Sequence, residues 1–173
     1  EVEVSDSFLV DAKINKGVMT LVDELQQRQL LQELSSQDLK LVKKCGGSVC
    51  NSVVAASSLG AAQFCIDESV KYARERKPFG KALSTNQAIQ FPLVELQTQC
   101  EMLRALIHKT AWLMDEHGAF SQSDKVSMCN YWANRLCCES ADRAMQVHGG
   151  IGYSRHKPFE HIYRHHRRYR ITE

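Results

Sequence analysis

Apolar residues return every three or four positions along most of this chain, which is the spacing of amphipathic helices. The pattern predicts four helices: Val53 to about Glu75, Ser84 or Thr85 to about Glu116, about Lys125 to His148, and Pro158 to Glu173. Glycines are expected to end the second helix at Gly118 and the third at Gly149. Four helices joined by short loops predict an all-α fold, an up-down four-helix bundle.

Each predicted helix has one face that should point into the core, and in the first helix the small residues on that face favour close approach of a neighbour. Ser84 or Thr85 is expected to cap the second helix, and Ser121, Ser123 or Asp124 the third. The predicted inward residues are Val53, Ala56, Gly60, Phe64 and Val70 in the first helix; Ile89, Leu93, Leu96, Cys100, Leu103, Ile107 and Met114 in the second; Met128, Trp132, Leu136, Ala141 and Met145 in the third; and Ile162, Tyr163 and Tyr169 in the fourth.

The start of the chain has a different pattern. Residues Val2 to Val10 begin with the alternation of a strand, and Lys16 to Leu41 has the leucine spacing of an amphipathic helix. We therefore divide the chain into an N-terminal segment, residues 1–44, with a short extended piece and an amphipathic helix, and a helical bundle domain, residues 45–173. A chain of 173 residues can bury one core of ordinary size.

The composition argues against several classes of protein. The net charge of +2 gives no general attraction to nucleic acid, and no run of about 18 apolar residues predicts a transmembrane segment. The seven cysteines are an odd number, and neither close pair, Cys45/Cys50 or Cys137/Cys138, has the CxxC spacing of a zinc site. We predict reduced, mostly buried thiols, no metal site, and an intracellular location in the cytoplasm or an organelle matrix.

A basic stretch lies near the end of the chain. Between Ser154 and Arg170 there are six Lys or Arg and four His against one Glu. Such a stretch could contact the phosphates of CoA, FAD, RNA or a membrane, but a solvated helix face is the simpler interpretation. His165 and His166 are adjacent on a helix and point in different directions, so we do not expect them to share a metal ion.

Three short motifs are more specific than the composition or the hydrophobic pattern. The run Tyr72 to Gly80 contains R-x-x-F-G, the run Gln146 to Gly150 reads Q-x-x-G-G, and the chain ends in Ile171-Thr172-Glu173. Together they resemble the C-terminal helical domain of the acyl-CoA dehydrogenases, from about Val53 to Glu173. Members of that family use FAD to place a double bond between the α and β carbons of a CoA thioester. The resemblance covers the last third or so of a typical member.

The resemblance implies that the arginine of the first motif binds the pyrophosphate of FAD and that its phenylalanine lies beside the adenine. A guanidinium makes paired hydrogen bonds to phosphate oxygens, and an aromatic face suits a purine. Glycine in the second motif allows close approach of the cofactor to the main chain. Without the companion motifs, the arginine would be a solvated residue at a helix end and the glycines a helix C-cap. The implied FAD contacts are Arg76, Phe79, Gln87, Gln146, Gly149 and Gly150.

Glu173 stands where the family has its catalytic base, which removes a proton α to the thioester. Such a carboxylate usually needs its pKa raised by burial to act near neutral pH. The aromatic residue that usually precedes it is Thr172 here. A subset of the family places the base on the first bundle helix instead, but that position is Cys50. The neighbouring position, usually an arginine, is Asn51.

The resemblance therefore implies the C-terminal domain of an FAD-dependent acyl-CoA dehydrogenase or oxidase. Its partners would be an acyl-CoA substrate, an electron-transferring flavoprotein or oxygen as acceptor, and further copies of itself in a dimer or tetramer, or the domains missing here. The alternative is a non-catalytic helical binding module derived from that domain, which Asn51 favours. A third hypothesis, a basic adaptor for nucleic acid or anionic membrane, predicts salt-sensitive binding.

Overall fold

A computed structural model of the protein describes residues 48–172, together with Gln32. Within residues 48–172 the chain forms helices and turns and no strand, so the expected all-α fold is confirmed. The N-terminal segment predicted for residues 1–44 lies outside the described residues, apart from Gln32. The helices are α1 (Ser48–Glu75), α2 (Gln87–His117), α3 (Ser123–His148), α4 (Gly150–Tyr153), α5 (Phe159–Arg167) and α6 (Tyr169–Thr172).

Helices α1 and α3 run in the same direction and keep one register along their contact. The Ser58 hydroxyl donates to Asn134 Oδ1 at 2.8 Å, across a separation of 76 residues. Further along, the Tyr72 ring stacks on the His148 ring with centroids 4.2 Å apart, and this pair is again 76 residues apart. A constant separation between contacting residues means that the two helices are parallel.

Helix α2 returns antiparallel to α1. Ser52, near the start of α1, lies 3.8 Å from the sulfur of Met114, near the end of α2. Gln63 contacts Gln97, which is earlier in α2, with Nε2 donating to Oε1 at 2.7 Å. Helix α5 runs back along α1 and α3, and the order up, down, up, down is that of the predicted bundle.

The face of α1 that enters the core is not the predicted one. Val53 is 64% exposed and Phe64 is 43% exposed, and Ala56 and Gly60 also face outward. Small residues and apolar residues occur all around this helix, so hydrophobicity alone does not select a face. The tight contact with α3 selects it, because only small side chains let two helices approach closely. The α1 residues buried in the core are Ala55, Ser58, Leu59, Ala62, Cys65, Ile66, Ser69 and Ala73.

The predicted core face of α3 is wrong in its first half and right in its second. Met128 and Trp132 are 51% and 52% exposed, whereas Leu136 and Ala141 are buried as expected. Cys129 and Ala133 take the inward positions instead, again because the contact with α1 favours small residues. In α2 four of the seven predicted inward residues, Leu93, Leu96, Cys100 and Leu103, are buried, and the other three, Ile89, Ile107 and Met114, are half-buried.

The helix ends are set by short local interactions. Asn86, and not Ser84 or Thr85, caps α2, because its Oδ1 accepts from the amide of Ala88 at 2.9 Å. Gly118 ends α2 with φ of 83°, as predicted, in a region that favours glycine. No side chain caps α3: the residue before it is Gln122, and Ser121 donates to backbone carbonyls of the preceding turn.

The last part of the chain is more divided than the single helix predicted from Pro158 onward. Helix α5 begins at Phe159 and ends at Arg167, and α6 follows after Arg168. The predicted anchors Ile162, Tyr163 and Tyr169 are only partly buried. The main anchor is Phe159, which is completely buried against Cys65, Ala141 and Ala144 and which the hydrophobic pattern did not single out.

The six cysteines within residues 48–172 are free thiols. Five of them are buried and Cys50 is exposed. Burial raises the pKa of Cys65 to about 12 and that of Cys100 to about 11, so these thiols stay protonated and unreactive at neutral pH. Cys45 lies outside the described residues.

A buried polar network ties α5 to α1 and α3. Asn134 Nδ2 donates to the carbonyl and to Oδ1 of Asn130, so Asn134 Oδ1 is an acceptor and the Ser58 hydroxyl donates to it. The one hydroxyl hydrogen of Ser58 is then used. The contact of 2.9 Å between Ser58 Oγ and His166 Nδ1 must therefore be donated by the imidazole.

This network makes stability depend on pH. Burial, with smaller effects from His165 and Arg168, lowers the pKa of His166 from 6.5 to about 4. The unfolded chain therefore binds a proton that the folded chain does not bind between these pKa values, and stability falls as pH drops through that window. Between pH 7 and pH 5 we expect His166 to remove about 2 kcal/mol of unfolding free energy. Urea unfolding at the two pH values measures this loss.

The matched variants are His166→Asn, which keeps a donor toward Ser58, and His156→Asn, on an exposed loop. His166→Asn should reduce the pH dependence and His156→Asn should leave it unchanged. Equal pH dependence in the protein and in His166→Asn would contradict the assignment.

Candidate functional site

Two of the sequence motifs lie at the same end of the bundle. The stack of Tyr72 on His148 joins the last turns of α1 and α3. Arg76 follows Tyr72 by one helical turn, and Gly149 follows His148 directly. Because α1 and α3 are parallel, the R-x-x-F-G loop and the Q-x-x-G-G turn leave the bundle side by side.

The loop after α1 holds an aromatic ring in solvent. The Arg76 amide donates to the carbonyl of Tyr72 at 2.8 Å, and the amide of Leu83 donates to the carbonyl of Arg76 at 2.9 Å, which closes the loop. At its tip Phe79 has φ of 56° and ψ of 29° and is completely exposed. A left-handed conformation is unfavourable for a bulky residue, and an exposed phenylalanine gains nothing from burial. The loop is therefore shaped for something other than stability of this domain.

Arg76 is exposed and forms no ion pair with a carboxylate of residues 48–172. Gln87, the first residue of α2, is exposed at the same end because α2 starts where the loop ends. The N-terminus of α2 adds a partial positive charge there. A free guanidinium, an exposed ring and a helix N-terminus suit an anionic ligand with an aromatic part.

The glycine turn after α3 leaves its backbone open. Gly149 has φ of 64° and its amide donates to the carbonyl of Met145 at 2.9 Å. A Cβ added at Gly149 or Gly150 would meet no heavy atom within 4 Å. Gln146, in the last turn of α3, is also exposed. The turn thus exposes main chain and an amide side chain.

Aromatic side chains support this surface from beneath. His148 is buried between Tyr72 and Phe159, with ring centroids 4.2 Å and 4.6 Å away. Its Nδ1 lies 2.8 Å from the carbonyl of Ala144, and its Nε2 has no hydrogen-bond partner among the described residues. Burial lowers the pKa of His148, so the ring packs in its neutral form. Sequence reasoning missed Tyr72 and Phe159 as supports of this surface, and their only signal was their aromatic character.

Of the two positions that the family uses for its catalytic base, the structure describes only the one occupied by Cys50. Glu173 is outside the described residues, and the chain is described up to Thr172 in α6. Cys50 is exposed at the start of α1 and Asn51 is half-buried beside it. They stand about 26 residues before Arg76, which is roughly 39 Å along a helix. Cys50 and Arg76 are therefore at opposite ends of the bundle.

Comparison with known proteins decides the family. The family described as "Acyl-CoA dehydrogenase, C-terminal domain" matches residues 52–173, more than half of the chain. The chain belongs to the acyl-CoA dehydrogenase family. FAD is the cofactor of this family of oxidoreductases, and the predicted resemblance is confirmed.

Individual relatives agree with this family assignment. The chain is 38% identical over 120 residues to the caffeyl-CoA reductase-Etf complex subunit CarC of Acetobacterium woodii, covering 69% of this chain and 31% of the relative. It is 34% identical over 161 residues to the 3-(aryl)acrylate reductase of Clostridium sporogenes, covering 92% and 38%. The structure of butyryl-CoA dehydrogenase from Megasphaera elsdenii is similar with a TM-score of 0.65 and 30% identity, covering 70% and 31%.

The chain thus spans about a third of the length of the acyl-CoA dehydrogenase relatives that it matches. The match to the 3-(aryl)acrylate reductase extends beyond residues 52–173 into the N-terminal segment, because it covers 92% of the chain. Within the described residues, no helix is both long enough and apolar enough to cross a membrane.

Proposed function

We propose that this chain is the C-terminal domain of an FAD-dependent acyl-CoA dehydrogenase or oxidase, and that its flavin contacts are Arg76, Phe79, Gln87, Gln146, Gly149 and Gly150. The observation that carries the proposal is the side-by-side placement of the R-x-x-F-G loop and the glycine turn, fixed by the stack of Tyr72 on His148. Both segments are exposed, and the exposed Phe79 is held in an unfavourable conformation. Bound FAD supplies the two-electron acceptor of the reaction.

Each chain residue has a distinct task in this proposal. Arg76 donates paired hydrogen bonds to the pyrophosphate, and Phe79 lies against the adenine. Gly149 and Gly150 let the adenosine part approach the backbone. Gln87 and Gln146 add amide hydrogen bonds. The surface described here would thus hold the adenosine diphosphate half of the cofactor, while further domains or a second subunit hold the isoalloxazine half.

Glu173 is the proposed catalytic base. It would take the proton α to the thioester of an acyl-CoA, and the carboxylic acid would return it when the reaction runs in reverse. Both directions are relevant because two of the relatives are named reductases of caffeyl-CoA and of 3-arylacrylates. In both directions the reacting bond is the carbon–carbon bond between the α and β positions of the carbonyl compound.

Partners follow from the same proposal. The electron partner would be an electron-transferring flavoprotein or oxygen, and one relative is named as a subunit of a reductase-Etf complex. Because Cys50 and Arg76 lie at opposite ends of α1, one bundle presents two separate surfaces. A homo-oligomer, a dimer or a tetramer, would let the flavin end of one copy complete a site on another.

The test is the affinity of the full chain for FAD and for FMN, measured by isothermal titration. FAD contains the pyrophosphate and adenosine that FMN lacks, so FAD should bind more tightly. Replacing Arg76 by alanine removes a charge-assisted hydrogen bond worth about 1.5–3 kcal/mol, so FAD affinity should fall by roughly tenfold to a hundredfold.

Arg74→Ala is the matched control, since Arg74 is exposed in the last turn of the same helix and is not part of the motif. It should leave FAD affinity unchanged. Equal binding of FAD and FMN, or equal losses in Arg76→Ala and Arg74→Ala, would refute the assignment. No binding of either flavin at saturation would favour the alternative, a helical binding module without cofactor.

A further inference from the structure

We propose that His161 and His165 form a site for a divalent transition-metal ion, of the class of Ni²⁺, Cu²⁺ and Zn²⁺, on the exposed face of α5. The two residues are four apart on one helix, so they lie one above the other on the same face. Both side chains are exposed. This pair is distinct from the adjacent His165 and His166, which point in different directions.

The two rings are close neighbours. Their centroids are 6.0 Å apart and the ring planes differ by 25°, so the two imidazoles are nearly parallel neighbours. Two nitrogens that share one such ion lie roughly 3 Å apart, because each metal–nitrogen bond is about 2 Å. Because both side chains are exposed, rotation about their side-chain bonds can bring one nitrogen of each ring to that distance. The backbone of α5 need not move.

The type of ligand selects the type of metal. Imidazole suits zinc, copper and nickel, whereas magnesium and calcium prefer oxygen ligands. Histidine binds such ions through its neutral imidazole, by Nε2 or Nδ1. Tyr169 is one turn further on, and its hydroxyl lies 3.4 Å from His165 Nε2, a weak contact that a metal ion can replace.

The surroundings set a limit on affinity. Among the described residues no group of three His, Cys, Asp or Glu side chains could hold a metal ion, so water must complete the coordination. Arg164 in α5 and Arg168 just after it add positive charge, although Glu160 pairs with Arg164 at 3.5 Å. The site is therefore an open one of moderate affinity and not a closed structural centre.

Binding should stabilise the helix that carries it. Helix α5 has nine residues, a length at which an isolated helix is marginal in water. A metal ion that joins residues one turn apart binds the helical form and not the unfolded form, so it should raise the unfolding temperature. Helix α5 also holds His166 of the buried network, so its ordering bears on the whole bundle.

The experiment is isothermal titration of the tag-free full chain with Ni²⁺ and with Zn²⁺, in a Cys45→Ser/Cys50→Ser background that removes the exposed thiol and the one outside the described residues. Losing one of two linked ligands should weaken affinity by about tenfold or more, since the second imidazole binds intramolecularly. His161→Ala and His165→Ala should each produce this loss, and each should abolish the metal-dependent rise in unfolding temperature.

His156→Ala is the control, because His156 is an exposed histidine outside α5. It should retain full affinity, and so should Arg76→Ala, which separates metal binding from the flavin proposal. No heat of binding at saturating Ni²⁺ would overturn the site. Single variants at His161 and His165 that bind the metal as tightly as the parent would overturn it as well, because the metal would then bind elsewhere on the chain.

Discussion

Replacing Phe159 by alanine should lower the unfolding free energy by about 3–5 kcal/mol. Phe159 is completely buried at the start of α5, and its ring lies 4.6 Å from that of His148 and 6.4 Å from that of Phe64. Its other neighbours include Ala141 and Ala144, which are too small to fill the space that the ring leaves. The expected loss is a large share of the 5–15 kcal/mol that holds a typical domain together.

Chemical denaturation of Phe159→Ala and Phe120→Ala measures this. Phe120 is 85% exposed, so its truncation should change stability by less than about 0.5 kcal/mol. Because Phe159 packs under His148, the first variant should also weaken FAD binding by disturbing the end of α3. Similar stabilities for the two variants would mean that Phe159 does not anchor α5.

Gly152→Ala is expected to be the second most damaging change. A Cβ at Gly152 would lie 2.7 Å from the Cβ of His148 and 2.8 Å from the carbonyl oxygen of Met145. The carbonyl is part of the backbone of α3, so it cannot rotate away as a flexible side chain can. We expect a loss of about 3 kcal/mol, at the upper end for overpacking, as α4 is pushed off α3.

Gly60→Ala is the matched control for Gly152→Ala. Gly60 is exposed inside α1, and an added Cβ there meets nothing within 4 Å. Since alanine favours helix over glycine, this variant should gain about 0.5–1 kcal/mol. Thermal unfolding of both variants should thus give shifts of opposite sign. A Gly152→Ala protein as stable as the parent would show that α4 can move away from α3 at little cost.

The two variants also separate what sequence can and cannot predict. The glycine after α3 was identified as a helix end from sequence because a C-cap depends on local backbone conformation. The requirement at Gly152 depends on α4 folding back against His148, and no spacing rule contains that contact. Local rules likewise found the length of α2 and its end at Gly118, and the all-α class followed from them.

Core faces were the weakest predictions, for a physical reason. Along α3 the largest apolar residues, Met128 and Trp132, were expected inside, yet the structure buries Cys129 and Ala133. Hydrophobic periodicity ranks residues by transfer from water, whereas close helix packing ranks them by size. Two helices in tight contact therefore turn their small residues inward, and the larger ones line the outer grooves.

For the candidate site, the motifs were predicted from sequence, but the buried residues that hold them in place were not. The arginine and the phenylalanine of the R-x-x-F-G loop have recognisable chemistry, so they can be identified from the sequence alone. The stack of Tyr72 on His148 joins residues 76 positions apart, and only the register of α1 against α3 brings them together. The role of Glu173 stays a prediction.

The parallel arrangement of α1 and α3 has a consequence for when this surface arises. Two parallel neighbours cannot be joined by a tight turn, and here the connecting chain contains the whole of α2. Closing a loop of this length costs chain entropy, and contacts between residues so far apart in sequence form slowly during folding. On a ribosome, the loop after α1 would emerge well before the helix that holds it in place. The two motifs would acquire their common surface only after the chain had been made through α3, as one of the last events of folding.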